Sequence, residues 1–148
     1  AEAHEADDEI FVYTGGVQVV PRNVRRVRID KSVKIIPANA FEHRHNLIDV
    51  EFHDGIEMIG EWAFNCCYSL RGSIQLLGVK VIEAGAFAHC RGLIEVKFDV
   101  ELETIGISAF FNCTSLRSLT ISSVRNIGFL AFNNCKQLTD LDLPEGLE

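Results

Sequence analysis

A length of 148 residues suits a single domain. The composition, 47% hydrophobic and 24% charged, is that of a folded globular protein and excludes a wholly disordered chain. No apolar run approaches the roughly 20 residues of a membrane-spanning helix, and the formal net charge of -7 disfavours nucleic acid or an anionic membrane as a partner.

The chain begins with an acidic stretch and a pair of short apolar runs. Residues 1–9 carry five carboxylates and no Lys or Arg, which predicts an acidic disordered tail. Residues 10–23 hold two apolar runs around Thr14, Gly15 and Gly16, a pattern typical of a β-hairpin, and we expect this hairpin to form an N-terminal cap. A basic cluster between Arg22 and Lys34 comes next and would either bind an anion or hold the acidic tail.

Residues 24–148 are built from a repeated unit. Five Ala-Phe pairs end at Phe41, Phe64, Phe87, Phe110 and Phe132, with spacings of 23, 23, 23 and 22 residues. Each pair lies inside a twelve-residue segment that opens with Ile and closes with Leu. These segments read IPANAFEHRHNL, IGEWAFNCCYSL, IEAGAFAHCRGL, IGISAFFNCTSL and IGFLAFNNCKQL. Such a period indicates a solenoid, in which stacked coils bury a continuous core.

The residues within the unit predict its secondary structure. Apolar residues recur three and five positions after the closing Leu, as in a half-buried β-strand. Ile, Ala-Phe and Cys follow at near-helical spacing, which favours one or two helical turns. We therefore predict an α/β repeat solenoid: a right-handed coil with parallel strands, short helical turns and five full repeats.

Two repeat positions are predicted to form the core. One is the phenylalanine just described, and the other lies three residues later and is Cys67, Cys90, Cys113 or Cys135 in four units. A thiolate metal site or a redox relay is the alternative for these cysteines, but no C-x-x-C pair is present. Neighbouring Cβ atoms about one strand spacing apart, roughly 5 Å, would be too distant for a disulfide. We expect buried thiols, no cofactor and no metal.

The unit I-G-x-x-A-F-x-x-C-x-x-L-x-x-L-x-L resembles the BspA-type (Treponema-type) leucine-rich repeat. The resemblance implies a protein-binding or adhesion module, often at cell surfaces, and no enzymatic activity. The chain also lacks the common nucleophile, zinc and phosphate-loop motifs of enzymes. A column of free thiols fits an intracellular protein equally well, so the compartment stays open.

Three departures from the repeat carry further expectations. Ile74 and Leu76 come one residue late, which predicts a β-bulge at Gly72. Arg44 replaces the cysteine of the first unit and suggests that this coil is looser or that its helix is turned outward. The sequence stops in the middle of a coil, at residues 143–148, and we expect the natural array to continue.

Two surfaces are candidate partner-binding sites. The first is the outward face of the strands, with Asp49, Glu51, Glu95, Lys97, Asp140 and Asp142; ordinary solvated strand surface is the alternative. The second is an apolar group at positions that are small or polar in other units: Ile107, Phe111, Phe129 and Leu130. A further coil or a cap could equally cover it. The predicted function is a protein-interaction or adhesion module, with a structural spacer in a larger protein as the alternative.

Overall fold

The chain forms a solenoid of parallel strands. A computed structural model describes residues 9–121 and 123–142, so the predicted tail at 1–8 and the mid-coil end at 143–148 lie outside the described residues. In chain order the described strands are β1 (Ile10–Tyr13), β2 (Arg26–Ile29), β3 (Ile35–Ile36), β4 (Asp49–Glu51), β5 (Met58–Ile59), β6 (Arg71–Leu76), β7 (Val81–Ile82), β8 (Gly92–Phe98), β9 (Thr104–Ile105), β10 (Ser118–Thr120), β11 (Asn126–Ile127) and β12 (Asp140–Asp142).

The strands line two sides of the solenoid, and successive strands along most of the chain belong alternately to one side and the other. The long strands form the sheets β1-β2-β4 and β6-β8-β10-β12, and the two-residue strands form the sheet β3-β5-β7-β9-β11. All neighbours are parallel, and from β2 onward they lie about one repeat apart, as in the pairing of Ile36 with Ile59 and of Ile59 with Ile82. From Phe41 to Phe132 the chain makes four turns. The predicted parallel-strand solenoid is confirmed.

The predicted helical turns are wrong, because alternate main-chain amides from residue 39 to residue 44, and their equivalents in later coils, bond to the next coil. Ala40 N donates to Pro37 O within its own coil at 3.3 Å, whereas Phe41 N donates to Ala63 O of the following coil at 2.7 Å. A helix would keep all of these amides within one segment. Each coil instead crosses this side, which we call the turn side (residues 37–46 and their equivalents), in overlapping β-turns, and no helix occurs among the described residues.

Two positions in every coil support these turns with left-handed backbone. The residue two before the phenylalanine and the residue two after it have positive φ in all five coils. They are Asn39, Trp62, Gly85, Ser108 and Leu130, and His43, Cys66, His89, Asn112 and Asn134. A single left-handed residue ends a helix, so sequence spacing that looks helical is interrupted twice per coil.

The repeat phenylalanines form one stacked column through the core. Phe41, Phe64, Phe87 and Phe110 are fully buried, and adjacent rings lie nearly parallel with centroids 4.9 to 5.5 Å apart. Tyr13 of β1 closes the N-terminal end of the column, with its ring 5.0 Å from that of Phe41. The predicted core position Phe132, in the last described coil, is only partly buried and packs against Phe110.

The cysteines form a second column beside the rings. The Sγ atoms of Cys67, Cys90 and Cys113 each donate to the carbonyl of the preceding coil's phenylalanine, at 3.1 to 3.2 Å. Burial raises the pKa of the Cys67 thiol to about 12 and also raises the pKa of the other two. Cys135 makes the same bond to Phe110 O, but it is half-buried and burial raises its pKa to about 11. All five cysteines are free.

Arg44 tightens the first coil, so the expectation of a looser coil there is wrong. Its guanidinium donates twice to Val20 O, at 2.7 and 3.2 Å, and once to Glu42 O at 2.8 Å. In the later coils a cysteine thiol reaches the preceding coil from this position. The longer arginine does the same toward the N-terminal segment, which runs along a different path from that of a full coil.

The hairpin predicted for residues 10–23 is also wrong. The segment contains one strand, β1, and that strand pairs parallel with β2, in register Tyr13 with Ile29. Parallel pairing continues the solenoid by one strand and brings Tyr13 over the phenylalanine column, which an antiparallel hairpin standing alone would not do. Thr14, Gly15 and Gly16 then turn the chain away.

The register irregularity predicted at Gly72 is present, but Gly72 is not the extra residue, because it pairs with Leu93 and the skipped residue lies on the facing strand. The register of β6 against β8 shifts between Gly72 and Ser73, and Gly72 has a φ of 80°. Ile74 and Leu76 are buried as a result, and Ile94 of β8 is the residue that the pairing skips. The bulge allows one extra residue without turning the apolar side chains outward.

Replacing a central ring should be costly. We expect Phe87→Ala to lower the free energy of unfolding by about 3–5 kcal/mol, because it opens a cavity between two stacked rings. Urea melts followed by circular dichroism measure this. The matched control is Phe129→Ala at an exposed ring, expected to change stability by no more than about 0.5 kcal/mol. Equal effects of the two substitutions would contradict the placement of the column.

The thiols should differ in reactivity according to their burial. At pH 8 we expect Cys67, Cys90 and Cys113 to react with iodoacetamide at least about 100-fold more slowly in the folded protein than in urea, because thiolate is the reactive form and their pKa is raised. Cys66 and Cys135 should be labelled first. Peptide mapping by mass spectrometry gives the rates, and fast native labelling of Cys90 would disprove a buried column.

Candidate protein-interaction surfaces

The outward face of the long strands carries charges that pair with one another. Arg28 Nε donates to Glu51 Oε2 at 2.7 Å, and Arg26 lies 3.8 Å from Asp49. The two pairs join β2 to β4 in the register that the repeat predicts. Each is a cross-strand contact between half-exposed groups, of the kind that contributes about 0.2–1 kcal/mol.

The same holds further along this face. Glu95 accepts a hydrogen bond from Ser73 Oγ at 3.0 Å and lies 3.9 Å from Lys97 Nζ. Asp140 and Asp142 of β12 lie in register with Ser118 and Thr120 of β10. The four candidate residues of this face whose side chains are described are therefore all engaged within the sheet, which lowers their availability to a partner.

The apolar group lies on the turn side of the last two described coils. Ile107 and Phe129 occupy the same repeat position in adjacent coils, and their side chains are 55% and 75% exposed. Leu130 follows Phe129 directly and is 40% exposed. The two coils are joined here by the bond from Ser108 N to Phe129 O, at 3.0 Å. The structure thus brings three of the four predicted residues together as one patch, which we call the apolar patch (Ile107, Phe129 and Leu130).

Phe111, the fourth predicted residue, belongs to a different contact. It is half-buried, and its ring stands edge-on to the imidazole of His89, with centroids 5.4 Å apart. The two rings are nearly perpendicular, and the contact leaves less of the Phe111 ring for a partner. Phe111 flanks the apolar patch and is not at its centre.

Trp62 is a further exposed apolar residue on the turn side. It shares its repeat position with Leu130, and its indole ring lies over Gly85 of the next coil, where a Cβ atom would come within 2.0 Å of the ring. The sequence signal for this contact is a glycine, Gly85, at the repeat position that holds Trp62 one coil earlier. The indole is 37% exposed, so it presents one face to solvent.

A second group was missed by sequence reasoning. His45, Tyr68 and Arg91 occupy one repeat position, four residues after the phenylalanine, in three consecutive coils. The imidazole stacks on the phenol ring with centroids 4.8 Å apart, and the Arg91 guanidinium carbon lies 4.5 Å from the centroid of the same phenol ring. The sequence signal for this exposed stack is the occurrence of planar side chains at the same repeat position in three successive units.

The histidines act locally. His53 Nδ1 accepts from Gly55 N and its Nε2 lies 3.0 Å from Asp30 O, so its ring fixes a turn. His89 accepts from Asn112 Nδ2 at 3.0 Å, and its pKa is lowered by burial and by Arg91. In the described part of the chain, no three His, Cys, Asp or Glu residues are placed to hold a metal ion. Nor does any described helix have the length and apolarity to cross a membrane.

Solved structures resemble this fold closely. The chain is 32% identical to the leucine-rich repeat protein TpLRR of T. pallidum, with a TM-score of 0.78, over 82% of this chain and 58% of that one. A leucine-rich repeat protein from Bacteroides ovatus is 27% identical with a TM-score of 0.62, over 85% of this chain and 39% of that one. The chain therefore spans less than two thirds of either protein. None of the curated proteins compared with it matches.

The sequence profile described as "BspA type Leucine rich repeat region (6 copies)" matches residues 72–148, just over half of the chain. The resemblance seen in the repeat unit is thereby confirmed. Since the profile match and the structural similarity agree with the observed parallel coils, the chain belongs to the BspA-type leucine-rich repeat family.

Proposed function

We propose that this solenoid is a protein-interaction module and that it anchors its partner on the apolar patch. The observation that carries the proposal is the exposure of Ile107, Phe129 and Leu130 side by side, in a protein that buries its repeated apolar residues almost completely. Contiguous exposed apolar side chains on a soluble domain usually mark an interface. Leucine-rich repeat proteins are in general interaction modules, which agrees with this use of the surface.

The apolar patch is a better anchor than the strand face. Binding energy usually concentrates in a few large side chains that become fully buried, and Phe129 offers such a ring. The carboxylates of the strand face would first have to leave their present partners, as Glu51 would have to leave Arg28. We infer that Asp49, Glu51, Glu95 and Lys97 contribute orientation at the edge of an interface, together with Asp140 and Asp142.

The turn side also suits a rigid interface. The backbone beneath the patch is fixed by coil-to-coil bonds such as Phe110 N to Ala131 O, at 2.8 Å. Little conformational entropy would then be lost when a partner binds, since the scaffold is already ordered. Trp62 and Phe111 lie on the same side of the solenoid and would extend the contact area.

The test removes the central ring of the patch. We expect Phe129→Ser to weaken partner binding by about 30-fold or more, as for a hot-spot residue. The unchanged protein, Phe129→Ser and the control Val100→Ser are each cross-linked in an extract of the source organism. Mass spectrometry then quantifies the proteins that are cross-linked to each of them. Val100 is also 75% exposed, but it lies in the turn after β8.

Proteins retained by Val100→Ser and lost with Phe129→Ser would support the proposal. Identical sets for all three proteins would contradict it and would favour the spacer alternative. Urea melts of both variants check that stability is unchanged. Analytical ultracentrifugation distinguishes a foreign partner from a second copy of the chain.

A further inference from the structure

One edge of the solenoid is free of acidic residues. We call it the basic edge. It consists of the residues four, five and seven positions after each repeat phenylalanine, together with the equivalent residues 22, 23 and 25 before the first full coil. Of these 18 residues none is Asp or Glu, although the chain has 21 acidic and 14 basic residues. Six of them are cations: Arg22, Arg25, Arg71, Arg91, Arg117 and Lys136.

Contacts join these positions into one strip. Arg71 pairs with Gly92, and a Cβ atom at Gly92 would lie 3.3 Å from Arg71 Cβ, so the side chains of Arg71 and Arg91 leave adjacent coils. The stack of His45, Tyr68 and Arg91 runs along the same strip. At the N-terminal end, Arg22 and His45 line one hollow.

The three arginines in the middle of the edge, Arg71, Arg91 and Arg117, are not paired with the described carboxylates around them. The nearest strand-face carboxylates, Asp49 and Glu95, lie against Arg26 and Lys97. Within residues 9–121 and 123–142, no carboxylate forms an ion pair with Arg71, Arg91 or Arg117. No described carboxylate therefore competes with an added anion for these three guanidinium groups.

Apolar side chains interrupt the cations at regular intervals. Ile48 falls between Arg25 and Arg71 at one repeat position, and Ile94 falls between Arg71 and Arg117. Ile94 is exposed because it is the residue skipped at the bulge. A nucleic acid duplex or a sulfated glycan presents a uniformly charged surface with nothing apolar to place there, whereas a polypeptide has apolar side chains.

The spacing also fits a polypeptide. Cations two coils apart, such as Arg71 and Arg117, are separated by about 9.6 Å. Three residues of a polyproline II segment span about 9.3 Å and bring every third side chain to the same side. A carboxylate at every third residue would thus meet Arg71 and Arg117, and an apolar residue between them would meet Ile94. Bidentate guanidinium–carboxylate pairing suits such contacts.

We propose that the basic edge binds an acidic polypeptide segment in the polyproline II conformation that carries a carboxylate at every third residue. The site is distinct from the apolar patch and uses none of its residues, so either proposal can fail without the other. Arg71 and Arg117 hold the carboxylates, and Ile94 and Tyr68 contact apolar side chains of the bound segment.

The probe is a fluorescein-labelled twelve-residue peptide with Glu at every third position and Val, Ala and Ser between. Fluorescence anisotropy in 50 mM salt measures its binding to the unchanged chain and to Arg71→Gln/Arg117→Gln. We expect the double variant to bind at least tenfold more weakly and Tyr68→Ala about fivefold more weakly. The charge-matched control Lys31→Gln/Arg125→Gln removes two exposed cations elsewhere and should stay within twofold.

All variants keep the acidic residues 2–9, so competition from them is the same throughout. A second peptide of equal composition, with its glutamates in one block, should bind at least fivefold more weakly than the first. Equal binding by the double variant and its control would overturn the site. Equal binding of the two peptides would overturn the spacing, and tighter binding of a heparin oligosaccharide or a DNA duplex than of the first peptide would overturn the polypeptide as partner.

Discussion

Each coil is joined to the next by a phenylalanine that acts through its ring and its main chain together. The ring of Phe64 stacks on that of Phe87 with centroids 5.1 Å apart, and Phe64 N donates to Ala86 O at 2.7 Å. A single coil of about 23 residues could not bury such a ring alone. The ring is covered only when the amide bond forms, so packing and hydrogen bonding between coils occur together or not at all.

This constraint determines where a binding surface can arise. Because neighbouring coils are held in register, residues at one repeat position form a line along the solenoid. A line of core residues must stay apolar. Only the outward positions are free, and changes at neighbouring coils accumulate into patches. Ile107 with Phe129 is such an accumulation, and His45 with Tyr68 and Arg91 is another. The two ends need separate solutions, as the contacts of Tyr13 and Arg44 show at the N-terminal end.

Period and apolar positions were sufficient to predict the solenoid, the central phenylalanines and the register irregularity at Gly72, because these depend on which side chains can be buried. The turns were not predictable in the same way. Ile, Phe and Cys have the spacing expected of a helix. The residues with left-handed backbone, such as Trp62 and Cys66, are not glycines, so the sequence does not mark them. Their conformation follows from hydrogen bonds to the next coil. The parallel pairing of β1 likewise depends on Tyr13 meeting Phe41, a contact between distant residues. The basic edge was missed because its cations are scattered in sequence and gather only when coils are aligned.

Hydrogen exchange measured residue by residue is the most direct test that inter-coil bonding holds the solenoid together. We expect the amides of Phe64 and Phe87, which donate to the next coil, to exchange only through global unfolding, with the same free energy and the same dependence on denaturant. The amide of Val100, which is bonded only to the Asp99 side chain, should exchange fast. Exchange of Phe64 and Phe87 at the rate of Val100, or independently of each other, would contradict inter-coil bonding as the basis of the fold.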